Sequence, residues 1–150
     1  WLQLPVHAEQ LGAQDQRLAQ RALPLLVDGR FDPPWVRDIA KSIDTPESLV
    51  RAVMNRMARR GETFQIVKDL HYAPAVIRDA ARLADQLQTQ HGTVRAADFR
   101  DATGLGRKRA IQILEYFDRI GFTRRLGDDH VIRSRALLIP DADSHDSKIA

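Results

Sequence analysis

Apolar residues recur along this chain at spacings of three and four, interrupted by short runs with strand character, so the pattern is one of short helices separated by small hairpins. Leu18, Ala19, Ala22, Leu23 and Leu26 share one stripe and predict a helix over 15–27. Pro24 should kink or end it, and Asp28-Gly29-Arg30 should stop it. After the turn Phe31-Asp32-Pro33-Pro34 comes a short helix with Val36, Ile39, Ala40 and Ile43 inward. Asp44-Thr45-Pro46 then opens a helix to Arg60 that should bury Leu49, Val50, Val53, Met54 and Met57. Glu62 to Lys68 and Leu70 to Tyr72, joined around Asp69, read as a hairpin.

The same order then recurs. A helix from Pro74 to Gln90 with Ala80, Leu83, Ala84 and Leu87 inward ends at Gly92, and Thr93-Val94 reads as a short strand. A short helix around Phe99 follows, then one whose stripe is Ala110, Ile113, Leu114 and Phe117 and which Gly121 closes. Phe122 to Leu126 and His130 to Arg133, joined by Gly127-Asp128-Asp129, form a second hairpin. Ile39 and Phe99, Asp38 and Asp98, Met57 and Phe117, Gly61 and Gly121, and Asp69 and Asp129 each stand 60 positions apart. Helix, helix, helix and hairpin repeated at that period predict a mainly α fold with small β-hairpins: two tandem winged-helix domains. The expected layout is a linker or end of a preceding domain over 1–12, winged-helix domains over 13–73 and 74–139, and a disordered polar tail over 140–150.

Composition narrows the function. The chain has 43% hydrophobic and 29% charged residues with a net charge of +3, and its isoelectric point is near 9.7. Basicity therefore resides in local clusters more than in a large excess, and a patch is the feature to seek. There is no Cys, which excludes disulfides and thiolate metal sites. No apolar run approaches the ~20 residues needed to span a bilayer. The chain opens at Trp1 without Met, which reads as a piece of a longer protein.

The two copies differ in charge. Arg107-Lys108-Arg109 begin the third helix of the second copy, where the dipole disfavours cations unless an anion is to be met; the first copy has Glu47-Ser48-Leu49 there. Arg124-Arg125 in the second hairpin correspond to Phe64-Gln65 in the first. The second copy is thus the candidate nucleic-acid reader and the first a spacer or weaker contact surface. Gln112, one turn on, is a candidate for reading a base edge, and Tyr116 for stacking, whereas Phe117 belongs to the core stripe. Other motifs carry less. Gly104-Leu105-Gly106 lacks the Gly-Lys-Ser/Thr that cradles a nucleotide. Asp128-Asp129-His130 reads as a turn with exposed acids, and Ser144-His145-Asp146 are neighbours that cannot form a triad. No catalytic site or metal site is expected. From charge and architecture alone, an RNA-binding pair, a DNA-binding regulator module and a protein-interaction spacer all stay open.

Longer motifs separate them. Phe99-Arg100-Asp101, Gly104-Leu105-Gly106-Arg107-Lys108 and the run from Leu114 through Tyr116-Phe117-Asp118-Arg119-Ile120-Gly121 to Arg125 resemble the last winged-helix repeat of the bacterial selenocysteine-specific elongation factor. Asp32-Pro33-Pro34-Trp35-Val36-Arg37-Asp38 and Val67-Lys68-Asp69 resemble the repeat before it. The resemblance implies a cytoplasmic, GTP- and Mg-using translation factor that carries selenocysteinyl-tRNA to the ribosome, in which these repeats hold an mRNA hairpin beside a recoded UGA codon. It maps Arg107, Lys108 and Arg109 onto the helix start that meets RNA phosphates, with Arg124 and Arg125 flanking from the wing. No cofactor is expected in this part of the protein, which reads as a monomer without membrane partners.

Overall fold

The computed structural model of the chain describes residues 12–139; nearly all of the expected linker and the expected tail lie outside the described residues. The chain divides into two compact units, Trp1–Val76 and Ile77–Ala150. Among the described residues each carries helices and one two-stranded antiparallel sheet, which is the tandem winged-helix architecture.

In the first unit the elements are α1 (Ala13–Gly29), α2 (Val36–Ser42), α3 (Glu47–Arg59), β1 (Phe64–Val67) and β2 (Leu70–Tyr72). Helix α1 does not stop or break at Pro24: it runs on to Gly29. Ala22 and Leu26, both fully buried on either side of the proline, offset the one backbone bond it forfeits. Leu23 is only half-buried. In α3 the core stripe is Val50, Val53, Met54 and Met57, while Leu49 is 46% exposed, contrary to expectation. Its position about 100° round the axis from Val50 sets it outside that stripe. The hairpin closes on the core through Ile66, Leu70 and Tyr72, and the Tyr72 hydroxyl donates to the Phe31 carbonyl at 2.6 Å.

Helix α4 (Pro74–His91) begins at the end of the first unit and leads into the second. Of the residues expected inward in it, Ala80 and Ala84 are fully buried, whereas Leu83 and Leu87 are half-buried. There follow α5 (Ala96–Thr103), α6 (Arg107–Ile120), β3 (Thr123–Leu126), β4 (Asp129–Ile132) and a 3-10 turn over Arg135–Leu137. Phe99, Phe117 and Phe122 form the aromatic centre, with Phe117 edge-on to Phe99 at 6.3 Å and to Phe122 at 5.0 Å between ring centroids. Val94 makes an isolated antiparallel bridge to His130 beside the wing. Gln88 on α4 accepts the Ile132 amide at 2.6 Å, and Asp85 takes the Arg135 guanidinium at 2.9 Å.

Candidate nucleic-acid interface

Helix α6 begins at Arg107, so the three basic residues do occupy its first turn. Successive residues turn by about 100°, however, which sends them to different sides. Arg107 and Lys108 are exposed and line an open concavity of about 520 Å³ with Ile111, Gln112 and Glu115. Arg109 points about 160° away from Arg107 round the axis. It is half-buried and interacts within the protein. The helix start therefore presents Arg107 and Lys108 on this face and Arg109 on another. Gln112 sits half-buried in the same concavity, its amide without a hydrogen bond among the described residues.

The wing is similarly asymmetric. Side chains alternate along a strand, so Arg124 and Arg125 stand on opposite faces of the hairpin. Arg125 shares its face with its cross-strand partner His130, and its Nε donates to the Gly127 carbonyl at 2.9 Å with Asp128 4.0 Å away. Arg124, opposite Val131, is exposed and makes no ion pair among the described residues. Just past β4, Arg133 is exposed and likewise without a carboxylate partner. Sequence reasoning misses it because it stands apart from the Arg pair, although its place at the end of a basic hairpin is a signal that could have found it.

Which cations are left unneutralised is the discriminating feature. In the same unit Arg82 pairs with Asp79, Arg95 with Asp98, Arg100 with Asp101 and Arg135 with Asp85. Arg107, Lys108, Arg124 and Arg133 have no carboxylate within ion-pairing distance among the described residues. In the first unit the cation on the equivalent helix is neutralised. Arg51 of α3 donates from Nε to Asp69 Oδ1 at 2.9 Å in the wing turn. That hydrogen bond is the chief cause holding the Asp69 carboxyl below its usual range. Asp129, sixty positions on, is half-buried and accepts from Thr93 Oγ1 at 3.0 Å instead of being an exposed turn acid. No metal-ligating group of three or more His, Cys, Asp or Glu occurs among the described residues.

The wing is tied to the flank of α6 that carries Arg107. Asp118 holds the wing, accepting from Thr123 Oγ1 at 2.6 Å and from His130 Nδ1 at 3.0 Å. Eleven residues separate Asp118 from Arg107, three helical turns, which leaves them within about 20° of one another around the axis and about 16 Å apart along it. A single small anion cannot meet both clusters, whereas a polyanionic backbone can. The aromatic candidates are otherwise engaged. Phe117 and Phe122 are fully buried. Tyr116 lies half-buried against Phe117 with Arg119 5.6 Å from its ring centroid, and burial pushes its phenol up.

Residues 11–72 match a family model described as selenocysteine-specific elongation factor, winged helix domain, and residues 85–132 one described as elongation factor SelB, winged helix. The selenocysteine-specific elongation factor of Escherichia coli (strain K12) is 47% identical over 94% of this chain and 22% of its own length. That of Haemophilus influenzae is 33% identical over 90% of this chain and 22% of its own length. The chain thus spans about a fifth of the length of these curated relatives. Among solved structures, the mRNA-binding domain of elongation factor SelB from E. coli, in complex with SECIS RNA, superposes with a TM-score of 0.77 at 45% identity, over 83% of this chain and 100% of that one. A bacterial EF-Sec crystal structure superposes with a TM-score of 0.66 at 19% identity over 83% of this chain and 20% of that one, a likeness of fold alone. With both units matched by models of one family and a 45% identical solved domain covered along its whole length, this chain belongs to the selenocysteine-specific elongation factor (SelB) family.

Proposed function

We propose that this chain holds an mRNA hairpin, a selenocysteine insertion element, for a selenocysteine-specific elongation factor. The second winged-helix domain, residues 74–139, is the reader and the first, residues 13–73, the spacer. Arg107 and Lys108 contact phosphates from the helix start, Arg124 does so from the wing, and Gln112 lies where a base edge can be read. Arg109 and Arg125, each with interactions inside the protein, contribute less. The observation that carries the reading is the pattern of open charge: among the described residues Arg107, Lys108, Arg124 and Arg133 are exposed without a carboxylate partner at the start of α6 and on the wing, while Arg82, Arg95, Arg100 and Arg135 of that unit are neutralised by aspartates. The related domain bound to SECIS RNA supports the choice of RNA over DNA. In the whole protein, GTP hydrolysis with Mg, selenocysteinyl-tRNA and the ribosome belong to the remainder of a cytoplasmic factor, which this chain tethers beside a recoded UGA codon.

A mobility-shift competition tests this. The SECIS hairpin is expected to displace duplex DNA of equal length from the 150-residue chain. Preference for the duplex would overturn the reading in favour of a DNA-binding regulator module.

A further inference from the structure

The root of the second wing is held to α6 by a carboxylate that has no counterpart in the first wing, which is tied to its helix through Arg51 and Asp69 in the turn instead. Both units bury a Thr at the root of the hairpin beside a His on the returning strand: Thr63 Oγ1 lies 3.1 Å from His71 Nδ1, and Thr123 and His130 occupy the corresponding places. His71 stands opposite Gln65 and His130 opposite Arg125, so the two histidines hold equivalent register positions. Only the second unit sets a carboxylate between the pair. Asp118 Oδ1 accepts from Thr123 Oγ1 at 2.6 Å, and His130 Nδ1 approaches Oδ2 to 3.0 Å; the first unit has Ala58 sixty positions earlier.

Asp118 lies in the last turn of α6, the end of a helix where a negative charge is disfavoured. Closing the hairpin does not require a carboxylate at this place, since the first unit has Ala58 there and ties its wing through Arg51 and Asp69 in the turn. What the carboxylate does is fix β3 and β4 together against the helix. Thr123 immediately precedes Arg124, and His130 is further pinned by two backbone bonds to Val94, at 2.7 and 2.9 Å. We infer that Asp118, through Thr123 and His130, is a positioning residue for RNA binding, holding the wing so that Arg124 meets the same RNA as Arg107 and Lys108. The inference rests on the RNA reading above and adds to it a residue that touches no RNA.

The test is a double-mutant cycle on the full chain with the SECIS hairpin as probe. Arg124→Ala is expected to weaken binding about five- to tenfold in the parent and less than twofold in an Asp118→Ala background, a coupling of the size seen between residues acting through one network. Lys108→Ala, on the other cluster, is expected to weaken binding by the same factor in both backgrounds. Equal effects of Arg124→Ala in both backgrounds would overturn the positioning role while leaving the RNA reading intact. Loss of the Lys108 and Arg124 effects together would also overturn it, because it marks general loss of the fold. No effect of Arg124→Ala in the parent would sink the RNA role of the wing, and the positioning role with it. Circular dichroism checks that each variant is folded at the assay temperature; if Asp118→Ala is not, Asp118→Asn and Thr123→Val take its place in the cycle, with the same expected and overturning results.

Discussion

His71 is buried to 1% exposure, and its Nε2 finds no hydrogen-bond partner among the described residues. Burial lowers its pKa from 6.5 to about 4, against the opposing pull of Asp69. In the unfolded chain the same ring titrates near 6.5, so as the pH falls below that value the unfolded state takes up a proton that the folded state refuses until about 4. The stabilisation from a neutral His71 is thus complete above pH 6.5 and drains away between there and 4. Urea melts at pH 7.5 and 5.0 are expected to differ by about 2 kcal/mol from this group, and His71→Leu should remove that share of the difference. An unchanged pH dependence in the variant would refute the assignment. Residue-scale reasoning also splits the basic triplet. Arg107→Ala and Lys108→Ala should each weaken hairpin binding severalfold, while Arg109→Ala does less, since its side chain lies on another flank of α6 and is engaged inside the protein. Comparable losses for all three in a fluorescence titration would contradict that split. Nothing in the spelling Arg-Lys-Arg distinguishes them; only the phase of the helix, fixed by which side is buried, does so.

At the level of elements, Gly121 shows how local chemistry shapes the site. It ends α6 with φ of 84°, in the left-handed region, and turns the chain directly into β3. A Cβ there would meet no atom within 4 Å, so Gly121→Ala has no clash and should cost about 1 kcal/mol through backbone strain alone. Thermal melts check the figure; a stabilised variant would refute it. Helix identity, order and the ends at Gly92 and Gly121 were legible because apolar stripes and glycine act within a few residues. Less legible was what packing decides. Pro24 reads as a kink or an end, and the helix does not end there because residues before and after it are buried on the same face. Leu49 reads as core from its type, yet it starts its helix on the flank of the stripe. Asp69 and Asp129 look alike as turn acids, but one clasps Arg51 and the other Thr93, partners 18 and 36 positions away. Such long-range choices leave no periodic trace in the sequence.

For the whole molecule, electrostatics is a matter of which charges are left over. A net charge of +3 from 23 basic and 20 acidic residues would draw a polyanion only weakly if those charges were evenly mixed. The copy-to-copy contrast at Arg107-Lys108 and Arg124 is legible in the sequence, and it points to the second unit. The neutralisation of Arg51 by Asp69 in the first unit is not, because it needs the hairpin folded back on α3. Together they predict that most of the salt-sensitive binding lies in one half of the chain. Three or four phosphate contacts should give a slope of about −3 for log K against log salt, and Lys108→Ala should reduce its magnitude by about 0.7 to 0.9. Lys41→Ala and Lys68→Ala remove the same formal charge from the first unit, so they test whether net charge or placement governs binding. If placement governs, the slope for the SECIS hairpin stays at its parent value in both; if the slope falls as it does for Lys108→Ala, the first unit touches the RNA and is no mere spacer.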